Sequence, residues 1–321
     1  MTHLALEAGS AHPTAPRDDI FDPGLLKQRV RAAEDAGFVL ITFADGPTAE
    51  GIEAGVRAAF LATGTTVIGL APQLHTATTE PFHLATQLAS LDHTSRGRAG
   101  WVVGAAADPA SLATIGREDA PAGEIRDVIE VARRLWDSWE DDAIIRDARS
   151  GRFLDPDRVH HVNFAGGTFG IVGPLITPRP PQGQVVVLGA DTLGVTGQLD
   201  IALVGDTARA QRARTDGAAL VFAELEVLLD TTDDTAVERL ATLGPWPEHE
   251  DRLRFIGSLD GLHARIEELA GTVDGVRLHP AVLADDLPVL VTRRTGSQRG
   301  TTLRDTLGLP RPANRYERTP A

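Results

Sequence analysis

The side chains that could do chemistry are few, and they stand at the ends of short apolar runs. His12, in "SAHPTAPR", and His75, in "QLHTATTEP", are candidate ligand contacts or proton carriers, because imidazole is the side chain that titrates unperturbed near neutrality. A histidine in a loop is equally at home as a solvated or structural residue. Thr76, Thr78 and Thr79 offer hydroxyls just beyond His75, although Thr78 or Thr79 can instead cap the helix that Pro81 opens. Asp45, in "FADGPT", can accept a hydrogen bond from a ligand or close a turn ahead of Pro47 and Thr48. Further along, "VVVLGADTLG" ends in Asp191, Thr192, Leu193 and Gly194, a glycine-bearing passage from strand to helix.

Other chemistries fall away. The chain has no cysteine, which removes thiolate nucleophiles, disulfides and Cys-ligated metals. There is no Ser-His-Asp order, phosphate-binding P-loop or His-Glu-x-x-His zinc motif. The acidic run Glu140 to Asp142 has no histidine beside it and reads as a solvated helix end. Its 31 Lys and Arg against 45 Asp and Glu leave a formal charge of -14. That balance repels nucleic-acid phosphates and anionic membranes. The beginning of the chain lacks the basic and apolar regions of a signal peptide, and no apolar run reaches the roughly 18 residues of a membrane span. These features predict a cytoplasmic protein.

Eight apolar runs must position those side chains: His3 to Glu7, Phe38 to Phe43, Thr66 to Leu70, Gly100 to Ala105, Val185 to Gly189, Ile201 to Val204, Ala218 to Ala223 and Val273 to Leu278. Helical stretches alternate with them, at Pro23 to Ala36, Thr48 to Ala62, Pro81 to Leu91, Glu124 to Glu140, Leu193 to Leu199, Thr207 to Arg214 and Leu259 to Ala270. Strands alternating with helices predict a parallel sheet with crossover helices, and eight such units fit a (β/α)8 TIM barrel better than a doubly wound sheet. The expected organisation is one domain over 1–321. Between strands 4 and 5 an excursion over 151–184, rich in glycine and proline, reads as a β-hairpin insertion with arms Val159 to Phe164 and Thr168 to Val172. Asp230 to Glu250 reads as an acidic surface loop or frayed helix. Asp45, the threonines, Asp191 and Thr192 then follow strand ends, on the face where barrel enzymes build their sites, while Trp101 lies within the fourth strand.

The segments "GSAHPTAPR", "AAEDAGFVLITFAD", "TTEPFHLATQLASLDHTSRGRAGW", "LWDSWEDDA", "GPLITPRPPQGQ", "VDGVRLHP" and "LRDTLGLP" span nearly the whole chain. In them the sequence resembles the luciferase-like flavin-dependent monooxygenases, in particular the branch of nitrilotriacetate, alkane and dibenzothiophene-sulfone monooxygenases. The resemblance implies a barrel holding reduced FMN at the C-terminal mouth of its strands and activating oxygen at the flavin C4a position on behalf of a small organic substrate. It implies a separate flavin reductase as partner. As cofactor contacts it implies Asp45, Thr76, Thr78, Trp101, Asp191, Thr192, Leu193 and Gly194, with His12 and His75 as the weak catalytic candidates. A deazaflavin (F420) is the alternative cofactor, and an apolar barrel flank makes a homodimer the expected assembly.

The sequence departs from the family pattern at three places. "VVGAAA" follows Trp101 where an Asn and a Val-Thr-Ser run usually help hold flavin. "EDAPA" at Glu118 to Ala122 replaces a His-x-x-Arg-Tyr motif. Ala190 replaces the first glycine of the phosphate cradle, and Asp191 brings a negative charge beside it. A flavin-free or weakly binding partner subunit, or a ligand-binding protein, is therefore the alternative expectation.

Overall fold

The computed structural model describes residues 2–16, 21–121, 123–293 and 300–317. Parallel strands β1 (His3–Glu7), β2 (Leu40–Phe43), β3 (Gly69–His75), β4 (Gly100–Gly104), β5 (Val186–Ala190), β6 (Ile201–Val204), β7 (Leu220–Leu229) and β8 (Gly275–Pro280) lie side by side. Pairing of β1 with β8, and of β6 with β7, closes the ring into the expected barrel. Side chains alternate between the two faces of a strand. Ala5, Leu40, Ala71, Val102, Leu188, Ile201, Leu203 and Phe222 pack as one cluster inside the barrel, and Leu303, Leu307 and Leu309 from the C-terminal segment join it as a floor. The opposite parity packs against the helices.

Two strands are displaced from the expected runs. β3 begins at Gly69 and continues through Pro72 to His75, although proline's missing donor makes it rare in a central strand. β7 runs ten residues, to Leu229, past Glu224 and Glu226, charges that made the apolar run look finished at Ala223. Its far half projects beyond β6 and takes up an unexpected parallel strand, Leu253–Gly257, through Leu225↔Leu253 to Leu229↔Gly257. Gly205, at the end of β6, must be glycine, because a Cβ there would stand 2.2 Å from the carbonyl carbon of Asp251.

The outer layer includes α1 (Pro23–Ala36), α2 (Ala54–Ala62), α3 (Pro81–Ser95), α4 (Glu124–Asp137), α5 (Ala210–Thr215), α6 (Ala236–Leu243), α7 (Leu259–Leu269) and α8 (Leu283–Leu290). α3 is capped by Glu80, whose carboxylate accepts from the amides of Phe82 and His83, so neither Thr78 nor Thr79 has that task. The stretch Leu193 to Leu199 forms two 3-10 turns, Asp191–Leu193 and Thr196–Gln198, separated by Gly194 at φ 70°. A left-handed residue there stops helix propagation.

The excursion between β4 and β5 holds two short hairpins. One pairs Ile144–Asp147 with Arg152–Leu154, starting before the expected boundary, and the other pairs only Phe164–Ala165 with Gly170–Ile171. Asp230 to Glu250 is more ordered than its acidity suggested. Thr235 and Glu238 form a reciprocal capping box that opens α6, and Trp246 beyond it is buried. No described helix is long and apolar enough to cross a membrane.

Candidate functional site

The C-terminal ends of the strands form a mouth with two unlike halves. At β7 and β8, Glu224, Glu226, Arg277 and His279 all have the parity of the barrel interior. Glu224 accepts from Arg277 Nε at 2.8 Å and is 2.9 Å from His279 Nε2. Burial alone would raise the Glu224 carboxyl, but Arg277 and His279 outweigh it and hold the group at about 2. Burial also pushes His279 down, against the pull of Glu224. Glu226 is bound by Arg254 Nε at 2.9 Å and by a second guanidinium nitrogen at 2.7 Å.

A strap from the chain between α6 and α7 covers this half. Arg254 donates to the carbonyl of Trp246 at 2.9 Å, and its guanidinium carbon lies 4.1 Å from the centre of the indole. His12 stacks obliquely on the same indole, ring centres 5.4 Å apart. Its Nδ1 lies 3.0 Å from Thr14 Oγ1, while His12 Nε2 and Trp246 Nε1 are buried without a partner among the described residues. Such orphans are costly unless a water or ligand satisfies them. Glu7 accepts from Thr42 Oγ1 at 2.7 Å and from the Ala44 amide at 2.8 Å.

At β2 to β4 the expected site residues clamp one another. His75 Nδ1 accepts from the Ala106 amide at 3.0 Å, leaving Nε2 to donate to the Asp45 carbonyl at 2.9 Å. The ring lies flat over Gly104, where a Cβ would stand 2.4 Å from it. The Asp45 carboxylate accepts from the amides of Gly46 and Ala54, so it organises the loop into α2. Thr76 is buried, and its hydroxyl donates to the Gly104 carbonyl at 3.3 Å. Thr78 borders a separate shallow groove with Glu80, Arg117 and Thr168. Trp101 has the outward parity of β4. It is fully buried in the layer between sheet and helices, with its indole N–H given to the Leu74 carbonyl at 3.1 Å. Direct contact with a ligand in the mouth is therefore corrected for Trp101, because strand alternation turns it to the far side of the wall.

Between these halves the β4 and β5 ends leave open space. A slot of about 300 Å³ is lined by Thr76, Ala77, Ala105, Ala107, Ile125, Leu193 and Val195, with Gly194 and Arg126 at one end. The apolar "VVGAAA" thus forms one slot wall, its small side chains making the room. Gly123 precedes α4 with no side-chain cap, so the first turn of a fourteen-residue helix faces this space. Unsatisfied N–H groups at a helix start favour an anion. Asp191 does not oppose that with a free charge: both its oxygens are held by Arg209. Thr192 is exposed, on the rim of a second, outer groove. Ala122 of the "EDAPA" segment lies outside the described residues.

Sequence reasoning missed Arg126, Arg209, the Glu224–Arg277–His279 cluster and the Trp246–Arg254 strap. The cluster had a signal, since "AELEV" and "VRLHP" each place two ionisable residues two apart within a strand, on one face. The strap had none beyond the capping box ahead of it.

Comparison with known proteins bears on what this mouth is for. The family model described as luciferase-like monooxygenase matches residues 1–204. A pristinamycin IIA synthase component from Streptomyces pristinaespiralis is 32% identical over 307 residues, covering 93% of each chain. N-acetyl-S-(2-succino)cysteine monooxygenase of Bacillus subtilis is 34% identical over 197 residues, 57% of this chain and 45% of that protein. Nitrilotriacetate monooxygenase component A of Aminobacter aminovorans is 36% identical over 166 residues, 50% of this chain and 37% of the relative. The matched stretches thus span less than half of those two monooxygenases. Among solved structures, a long-chain alkane monooxygenase superposes with a TM-score of 0.82 at 18% identity, covering 96% of this chain and 95% of the other. An EDTA monooxygenase from a Chelativorans species gives 0.77 at 21%, covering 97% and 99%. At those identities the superpositions bear on the fold alone.

Proposed function

This chain belongs to the luciferase-like monooxygenase family, and from that premise we propose that it is a flavin-dependent oxidoreductase whose flavin enters the slot between β4, β5 and α4. The observation that carries the reading is the polarity of that space, apolar along Ala77, Ala105, Ala107 and Val195 and polar where the α4 N-terminus and Arg126 meet, the Glu124 carboxylate there being held by Arg117 at 2.9 Å. A flavin has the matching polarity, a flat aromatic ring joined to a phosphate. A reduced flavin, when bound, supplies the activation of dioxygen for transfer to an organic substrate. The chain's own residues contribute binding and enclosure. The alanine wall holds the ring by contact and excludes water, and the helix start and Arg126 orient the phosphate. His75 and Asp45 hold the β2, β3 and β4 ends at fixed spacing. Reduced FMN from a separate reductase and a small organic substrate complete the reading, and the name of the Aminobacter relative, a component A, supports division of labour between proteins.

Anaerobic titration of the purified protein with reduced and oxidised FMN, read by calorimetry, tests this directly. The expected result is binding of the reduced form tighter than about 1 mM, roughly -4 kcal/mol; no binding at that level removes the flavin from the slot.

A second reading, a subunit that supports a flavin-binding partner without holding flavin itself, is favoured by one specific observation. The β1, β7 and β8 half of the mouth is filled by its own ion pairs and strap. The Streptomyces relative that matches along almost its whole length is named as one subunit of a synthase. The same titration separates the two readings.

A further inference from the structure

Between β4 and α4, residues 107–121 stand between two spaces. Ala107, Ala120 and Pro121 line the slot, while Ile115 and Arg117 line the groove of about 500 Å³ beside the 76–79 loop. Slot and groove meet at Thr76, Ala77 and Glu124, which border both. The stretch is bonded largely to itself. The Asp108 carboxylate accepts from the amides of Ala110 at 3.1 Å and Ser111 at 3.0 Å, and the Arg117 amide donates to the Leu112 carbonyl at 3.0 Å. Leu112 is buried, whereas Ile115 is 44% exposed.

Arg117 fastens this stretch to the barrel. Its Nη1 donates to the Ala77 carbonyl at 3.0 Å, and Nη1 and Nη2 each donate to one oxygen of Glu124 at 2.9 Å. Among the described residues, no other side chain of 107–121 makes a hydrogen bond or ion pair outside the stretch. Glu124, buried in the first turn of α4, also accepts from Thr168 Oγ1 of the second hairpin at 3.4 Å. One carboxylate thus gathers the 107–121 stretch, the β3 end and the hairpin at the point where slot and groove meet. A forked guanidinium–carboxylate pair is strong and geometrically specific. A segment with little buried apolar surface beyond such a pair opens locally without unpacking a core. We propose that the Arg117–Glu124 pair latches residues 107–121 as a flap over the slot, and that a ligand passes between groove and slot only when the pair opens. That the ligand is a flavin rests on the reading above.

The double variant Arg117→Met, Glu124→Gln removes the pair and leaves no unpaired buried charge. Hydrogen exchange of the ligand-free protein, read by mass spectrometry, reports the flap directly. Exchange within 107–121 is at least about fivefold faster in the double variant, while Arg265→Met, which breaks a pair with Glu268 on α7, leaves it unchanged. Raising the salt concentration speeds the same exchange in the wild type and not in the double variant, because the Arg117 side chain is 29% exposed and the pair is screened. In anaerobic stopped-flow mixing with reduced FMN, association and dissociation both rise at least about threefold while Kd stays within about threefold. Loss of a simple binding contact would raise dissociation alone. Unchanged exchange in the double variant overturns the latch, and so does faster dissociation with unchanged association. If reduced FMN does not bind, the flavin reading falls, and the exchange and its salt dependence still decide the latch. Should the double variant misfold, Glu124→Gln alone, which keeps an acceptor for Arg117 but not the charge, accelerates exchange to a smaller extent; no acceleration overturns the proposal.

Discussion

On the β7 and β8 side of the mouth, Glu224, Glu226, Arg254, Arg277 and His279 fill the barrel with mutually paired charge, and Trp246 lies across them. On the β4 and β5 side, Ala105, Ala107 and Val195 leave a slot, and the arginine at its end has no ion pair among the described residues. Both halves belong to the same barrel, and the difference shows what each kind of residue does in an interior. Long ionisable side chains close space only when every charge finds a partner, because an uncompensated buried charge is expensive. Alanines close nothing, and the room they leave is available to a ligand.

Breaking the filled half has the largest expected effect. Glu224→Gln leaves Arg277 buried without its anion, and the loss of stability is about 3–5 kcal/mol, read from the denaturant midpoint. A loss under about 1 kcal/mol would mean that the cluster is hydrated and the two halves are less different than their packing. At the boundary, Gly104→Ala drives a methyl into the His75 ring. Overpacking of this kind costs about 1–3 kcal/mol, and the His75 proton resonances should shift as its bonds to Asp45 and Ala106 are strained.

In the open half, Ala105→Trp fills the slot. Flavin affinity should fall at least tenfold, about 1.4 kcal/mol, with the unfolding midpoint nearly unchanged; retained affinity would place the flavin elsewhere.

The smallest effect concerns two buried carboxylates with different partners. Asp92, beneath the β4 side, is held by the Ala99 amide at 3.0 Å and by Gln182 Nε2 at 2.6 Å. Burial, only partly offset by those hydrogen bonds, pushes its carboxyl up to about 6 from 3.8. Its folded form thus favours the proton, a contribution fully present below pH 3.8 and lost as the pH rises through about 6. Glu224 is the opposite case: depressed from 4.5 to about 2, it contributes stability above 4.5 that is lost only as the pH falls towards about 2. Between pH 5 and 7 the wild type should therefore lose stability through Asp92 and not through Glu224. Urea unfolding at the two pH values should give a smaller difference in Asp92→Asn than in the wild type. An identical difference would assign the change to another group.

Much of the barrel was legible because its signal is local. Each of the eight apolar runs overlaps a strand, and α1 has the expected boundaries, Pro23 to Ala36, with Asp22 capping one end and Gly37 the other. The misreadings share a cause, which is that a residue's local meaning was reversed by a distant partner. Glu224 and Glu226 looked like the end of a strand until Arg277 and Arg254 met them inside it. The "DD" and "TT" of Asp230 to Glu250 looked like loop until Trp246 found Leu228 and Ala281 to pack on. Among the candidate site residues, strand parity could have turned Trp101 outward from the sequence alone. For Asp45 the turn-closing alternative is the one the structure takes, its carboxylate accepting from the amides of Gly46 and Ala54.

The sequence by itself determined the alternation of strand and helix, the absence of thiol chemistry, the family likeness and the set of residues near the strand ends, because all of these depend on residue types and short-range spacing. Only the tertiary structure decided which half of the mouth is closed. That outcome depends on pairings such as Arg277 with Glu224, 53 positions apart, and Arg254 with Glu226, 28 apart. The local pattern puts ionisable residues on one face of β7 and of β8, but which charge meets which is set only by how the strands pair.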